Sequence, residues 1–170
     1  MKPPASGRPV KALTMRPFSR SLPMQLMRAR EAVMRRFRPH LLSRGFSDQQ
    51  WRIIRALADS GRLEIGTLSA QCQIHPASLS RMLPKLAEDG LITRNSHQND
   101  QRRIVVAITP RGRALFRSVA PESEEIYAAV AREFGAKKLR ELYQLLDRLI
   151  ETLRTGEART PPVPSRRRRR

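Results

Sequence analysis

Cysteine, acidic residues and long apolar runs are scarce in this chain of 170 residues. A single cysteine, Cys72, excludes an intramolecular disulfide and leaves nothing that points to an oxidising compartment. The apolar runs are only a few residues long, far short of the roughly 20 that a bilayer-crossing helix needs. The N-terminal stretch MKPPASGRPVKALTMRPFSR is basic but holds no apolar segment, so it does not read as a secretory signal. The sequence has no glycine-rich phosphate loop and no nucleophile elbow. His40, His75 and His97 are scattered and match no metal-ligand spacing. These absences argue against an enzyme and against a cofactor or metal. Acid is the decisive shortage: 15 Asp and Glu face 34 Lys and Arg, a formal charge of +19. The expectation is an intracellular, non-membrane, basic protein whose partner is a polyanion, most commonly nucleic acid.

The charge is not confined to the ends. Residues 1–20 hold five basic side chains and no acid, and residues 155–170 hold six against Glu157 alone, while 21–154 keeps 23 basic and 14 acidic residues. Four prolines in the first segment and TPPVPSRRRRR in the last suggest disordered tails at 1–20 and 155–170 around one ordered domain at 21–154. The five terminal arginines read equally well as a solvated tail or as a sequence-blind phosphate clamp.

Within 21–154 the apolar spacing defines the elements. Leu22, Leu26, Ala29, Val33, Phe37 and Leu41 recur at helical intervals, with Pro39 expected to bend or interrupt the helix. Ser47 followed by Gln50 is a capping box opening a second helix on Trp51, Ile54 and Leu57. A short strand is expected over 62–65, and then a short helix over 68–72 capped by Thr67. A break at Ile74-His75-Pro76 leads to a helix over 77–89 that buries Leu79, Met82, Leu83 and Leu86 and ends at Gly90. Two short helices around a tight break, the second presenting Ser78, Ser80, Arg81 and Lys85, form a helix-turn-helix. Strand-like runs at 91–94 and 104–108 flank a polar, arginine-bearing stretch and make a wing. Thr109-Pro110 caps a long helix through 134, kinked at Pro121, and a last helix over 137–153 carries a leucine stripe. Cys72 falls on the apolar side of its helix and reads as a core thiol.

In this order the stretches FSDQQWRIIRAL, HPASLSRMLPKLAEDGLI and NDQRRIVVAITPRG resemble the MarR family of winged-helix transcription regulators over about residues 21–154. The stretch SLPMQLMRAREAVMRRFRP and the following QQWRI resemble the branch that represses homoprotocatechuate-degradation operons. The resemblance implies a mostly α fold with a small β-wing, a winged helix-turn-helix with N- and C-terminal dimerisation helices. It implies a homodimer reading a palindromic operator in double-stranded DNA. Arg81 has the fork that reads guanine, Lys85 lies near a phosphate, His75 at the helix start either touches a phosphate or simply caps the helix, and Ser78 and Ser80 can donate to phosphates or base edges. At the wing tip, Arg102, with Arg103 beside it, would enter the minor groove and Asp100 would brace the loop. Pro84 departs from a regular recognition helix and is expected to kink it.

The resemblance also implies a repressor released by a small aromatic carboxylate. Arg30 can clamp a carboxylate bidentately, with Ser21 on the same helix, Trp51 and Phe37 as walls, and His40 toward a ring hydroxyl. The competing reading pairs Arg30 with an acid such as Glu151 or leaves it in water, and makes Trp51 plain core. Leu142, Leu146, Leu149 and Ile150 would form the dimer stripe, against the alternative of an intramolecular core. The rival function is a sequence-blind architectural nucleic-acid binder, whose mark is a weak preference for operator over random DNA.

Overall fold

The computed structural model describes residues 15–97 and 100–157, with all side chains in those spans except at 96–97, 100–103 and 156–157. The expectations for the rest of the two tails therefore lie outside the described residues. The chain divides into two units, one through Arg113 and one from Ala114.

The first unit opens with a 3-10 turn at Phe18–Arg20 and the helix α1 (Leu22–Ser43). Helix α2 (Asp48–Ser60) starts at the expected capping box. The Ser47 hydroxyl accepts from the Gln50 amide at 3.3 Å and the Gln50 side chain accepts from the Ser47 amide at 3.0 Å. Strand β1 (Arg62–Glu64) runs directly into α3 (Ile65–Cys72). Thr67 is therefore not the cap: α3 starts before it, with Glu64 at the N-cap position and no side-chain cap bond. Helix α4 (Pro76–Glu88) follows a left-handed Gln73, and the wing strands are β2 (Ile92–His97) and β3 (Asp100–Ile108).

The sheet is antiparallel in the order β1-β3-β2, with Leu63 and Arg94 on either side of Val106. Both wing strands run further than apolar periodicity predicts, because ladder pairing such as Asn95 with Val105 uses backbone groups and needs no apolar side chain. The pairing slips between Ser96 and His97, and His97 then faces Asp100.

Proline does not interrupt the helices. α1 continues through Pro39 and α4 through Pro84, as α5 (Pro110–Phe134) does through Pro121. In each case the proline and the residue four before it (Arg35, Ser80 and Arg117) are exposed, so water can bond the carbonyl that lost its donor.

The core of this unit is one apolar cluster. Phe37 and Leu41 of α1 join Trp51, Ile53, Ile54 and Leu57 of α2. Leu68 and Cys72 come from α3, Leu79, Leu83 and Leu86 from α4, and Val106 from β3. Each fully buried side chain of leucine size contributes about 1.5–3 kcal/mol. Cys72 is the expected core thiol, with burial pushing its pKa up. The second unit holds the remainder of α5 and α6 (Ala136–Glu157), in which Val119 and Ser123 are buried.

Candidate nucleic-acid interface and anion cleft

Helix α4 is built to present one face. Leu79, Leu83 and Leu86 fill the core, which leaves Ala77, Ser80, Arg81, Pro84, Lys85 and Glu88 exposed at spacings of three and four. His75 is its N-cap: Nδ1 accepts from the Ala77 amide at 3.3 Å, so this ring nitrogen serves the helix. Ser78 is half-buried. Arg81 Nε leans back to the Ala77 carbonyl at 3.4 Å. Lys85 is paired with Asp89 at 2.9 Å, one turn on, and this carboxylate raises its pKa. Lys85 can reach a phosphate only by exchanging that partner.

The wing is fixed to the end of α4 by a small junction. The Thr109 hydroxyl donates to the carbonyls of Gly90 at 2.7 Å and Leu91 at 3.1 Å, and accepts from the Gly112 amide at 3.0 Å as the cap of α5. A Cβ on Gly112 would lie 2.2 Å from the Leu91 carbonyl oxygen, so this approach requires glycine. The exit of β3 is therefore tied to the C-terminal end of the recognition helix. The backbone of Asp100, Arg102 and Arg103 belongs to β3, and their side chains lie outside the described set.

A second feature sits between α1 and α2. A cavity of about 410 Å³ is lined by Arg30, Arg38, Arg52, Asp48, Ser47 and Leu42, with three guanidiniums and one carboxylate in its wall. Arg38 forms a fork to Glu31, at 2.6 and 2.8 Å, and reaches Asp48 at 3.3 Å. That guanidinium holds the Glu31 carboxyl below the usual carboxylate range. Arg30, half exposed to water, pairs with Asp48 at 3.8 Å, a looser contact than either. Arg52 is half-buried. Burial and the charge of Arg30 push its pKa down.

Of the other residues expected at an effector, Trp51 is 6% exposed and its ring lies 6.1 Å from that of Phe46. His40 is buried, and Ser21 is half-buried at the start of α1. None of the three lines the cleft. On α6, Leu142 and Ile150 are exposed together with Tyr143, Leu145 and Leu153, while Leu146 and Leu149 are half-buried.

A family model described as the MarR family matches residues 46–104. The homoprotocatechuate degradative operon repressor of Escherichia coli is 35% identical over 144 residues, which covers 85% of this chain and 95% of that protein. The chain belongs to the MarR family. The HTH-type transcriptional regulator FarR of Neisseria gonorrhoeae is 40% identical over 131 residues, 77% of this chain and 90% of that one. The crystal structure of NadR in complex with 4-hydroxyphenylacetate is similar at a TM-score of 0.70 and 37% identity, covering 81% of this chain and 97% of the other.

This MarR protein is thus a transcription regulator and not an enzyme. No helix among its described residues is long and apolar enough to cross a membrane. Sequence reasoning placed Arg30 at the cleft but missed Arg38, Arg52 and Asp48. Their signal was present as charge on the inner side of α1 and α2. The apolar spacing of those helices does not say which opposite charges meet.

Proposed function

We propose that this MarR protein is a homodimeric, sequence-specific DNA-binding repressor, released by a small aromatic carboxylic acid and controlling genes of aromatic-acid metabolism. One observation carries the reading: a single folding unit holds both an exposed recognition face on α4 and a cleft whose wall has three arginines and one carboxylate. A cavity of about 410 Å³ is of the size that small-molecule sites have. Its excess of guanidinium favours a carboxylate, and Arg30, whose pairing with Asp48 is loose, is the group that would take it. The printed names of the relatives support the ligand class: one represses a homoprotocatechuate operon and another was solved with 4-hydroxyphenylacetate.

The DNA face follows from the geometry of α4. Ser80, Arg81 and Lys85 point outward, and Arg81 can read guanine O6 and N7 with its fork. His75 and Ser78 lie at the start of that helix, where phosphates approach helix N-termini. Arg102 and Arg103 would take the minor groove, braced by Asp100. Two copies are needed to read a palindrome. Exposed Leu142 and Ile150, with Leu146 and Leu149 beside them, provide an apolar face on α6 for pairing. Trp51, His40 and Ser21 lie outside the lining of that cleft, so in this reading the carboxylate is held by Arg30 and its neighbours rather than by them.

Release requires that the acid bind the DNA-incompetent dimer better than the competent one. A coupling of roughly 1–3 kcal/mol changes DNA affinity about 5–150-fold. The test is fluorescence anisotropy on DNA from upstream of the protein's own gene, at fixed salt, with and without a panel of hydroxylated aromatic acids. Release by one acid supports the reading. Specific binding that no acid disturbs removes the effector, and equal affinity for random DNA removes the operator.

A further inference from the structure

Arg52 stands where the α1–α2 cleft meets the end of α3. It lies one turn after Asp48 on α2 and borders two cavities: the α1–α2 cleft, and a smaller one of about 190 Å³ shared with Arg55, Asp59, Gln71 and Cys72. Its Nη1 donates to the Cys72 carbonyl at 2.6 Å. Cys72 is the last residue of α3, so that carbonyl is one of those a helix end leaves without an intrahelical partner. A cation at this end also suits the helix dipole. The contact is reciprocal, because the Cys72 thiol donates to the Arg52 carbonyl at 3.5 Å. Helix α3 is the first helix of the helix-turn-helix and packs against both α2 and α4.

The same guanidinium is poorly provided for on its other side. Arg52 Nε is buried without a hydrogen-bond partner. Arg30 opposes it across the cleft, and the cleft's Asp48 is already shared by Arg30 and Arg38. A second carboxylate entering the cleft would offer the guanidinium a further acceptor and screen the repulsion.

We propose that Arg52 is the positioning residue that couples the cleft to DNA binding: a carboxylate bound between α1 and α2 draws the Arg52 guanidinium away from the Cys72 carbonyl, freeing the end of α3 from α2 and letting the helix-turn-helix move. The proposal rests on the reading of that cleft as the effector site. It assigns the mechanical step of release to a residue that need not touch DNA.

The probe is 4-hydroxyphenylacetate, and its binding to the full-length protein is measured by calorimetry. Two readouts follow. In the first, amide hydrogen exchange is recorded at Gln73 and Ile74, whose amides donate to Ala70 and Ser69 in the turn that ends α3. Saturating probe should speed exchange there at least about fivefold. In the second, the ratio of DNA affinities without and with probe is compared in wild type and Arg52→Gln. The glutamine side chain is too short to reach the Cys72 carbonyl and carries no charge for an anion to recruit. R52Q should still bind the probe through Arg30, and without probe its DNA affinity should lie near that of probe-saturated wild type. Its affinity ratio should fall below about twofold, from at least about fivefold. A residue that merely supports the fold would lower DNA affinity and leave the ratio unchanged.

Wild-type exchange is unaffected by how R52Q folds. Probe binding with unchanged exchange at Gln73 and Ile74, or an R52Q ratio equal to that of wild type, overturns the inference and leaves the effector reading standing. Absence of probe binding to wild type overturns both.

Discussion

Gly112→Ala tests the junction between wing and recognition helix. The added Cβ would sit 2.2 Å from the Leu91 carbonyl oxygen, 2.8 Å from Ile108 Cγ1 and 3.1 Å from the Leu91 carbonyl carbon. Real Cβ contacts do not fall below 3.0 Å, so the start of α5 or the Leu91 peptide must move by about 0.8 Å. Neither is the far end of a flexible side chain. The Leu91 carbonyl already accepts from the Thr109 amide and hydroxyl, both at 3.1 Å, and the Gly112 amide donates to that hydroxyl. Movement therefore loosens one or two hydrogen bonds, each worth about 1 kcal/mol, on top of an overpacking penalty of about 1–3 kcal/mol. The sum is roughly 2–5 kcal/mol, or a Tm lower by about 4–20 °C for a chain of this size. Gly66→Ala is the control. It is the same chemical change on α3, with nothing within 4 Å of the new Cβ, and helix propensity makes it neutral or stabilising by up to about 1 kcal/mol. Calorimetry reads both variants. Because the junction sets the wing against α4, the folded fraction of G112A should also lose operator affinity by anisotropy. A G112A Tm within about 1 °C of wild type refutes the reasoning.

Three further outcomes are expected. Arg102→Ala should weaken operator binding about tenfold at fixed salt with an unchanged Tm, and wild-type affinity would remove Arg102 from the minor groove. Ile150→Asp places a charge on the exposed apolar face of α6 and should halve the particle mass by light scattering while the helical circular dichroism persists; an intact dimer moves the interface elsewhere. Glu31 is most stable in its ionised form because Arg38 lowers its pKa. Its contribution is complete above the usual carboxylate range and disappears as pH falls through the lowered value. The Tm of wild type should therefore fall more steeply than that of Glu31→Gln between about pH 6 and pH 3, and parallel curves would show that the fork to Arg38 contributes nothing.

Much of this protein is local and so was readable from the chain. The capping box at Ser47 and Gln50, the leucine spacing of α4 and the β-branched run of β3 each depend on residues a few positions apart. Those elements in that order suffice for the winged fold and the family. The expectation that failed was also a local rule, overruled by surroundings: Thr67 lost its role as cap because β1 delivers the chain into α3 before it. The helices continue through Pro39, Pro84 and Pro121, where the residues whose carbonyls lose a donor lie on exposed turns.

The site divides along the same line. That α4 turns Ser80, Arg81 and Lys85 outward was legible, since exposure on α4 follows from its apolar stripe. The sequence left His75 between a cap and a phosphate contact and did not give the pairing of Lys85 with Asp89, although both act within a turn, because the residue types allow several partners. The cleft is further from reach. Arg30 and Arg38 converge on Asp48 from positions 18 and 10 residues away, and Arg52 meets a carbonyl 20 residues on. The sequence by itself determined the helices, the wing and a basic surface that suits DNA, because those rest on periodicity, propensity and net charge. Only the tertiary structure decided which guanidinium faces which carboxylate, because the meeting of two charges depends on how α1, α2 and α3 pack and not on the spacing within any one of them.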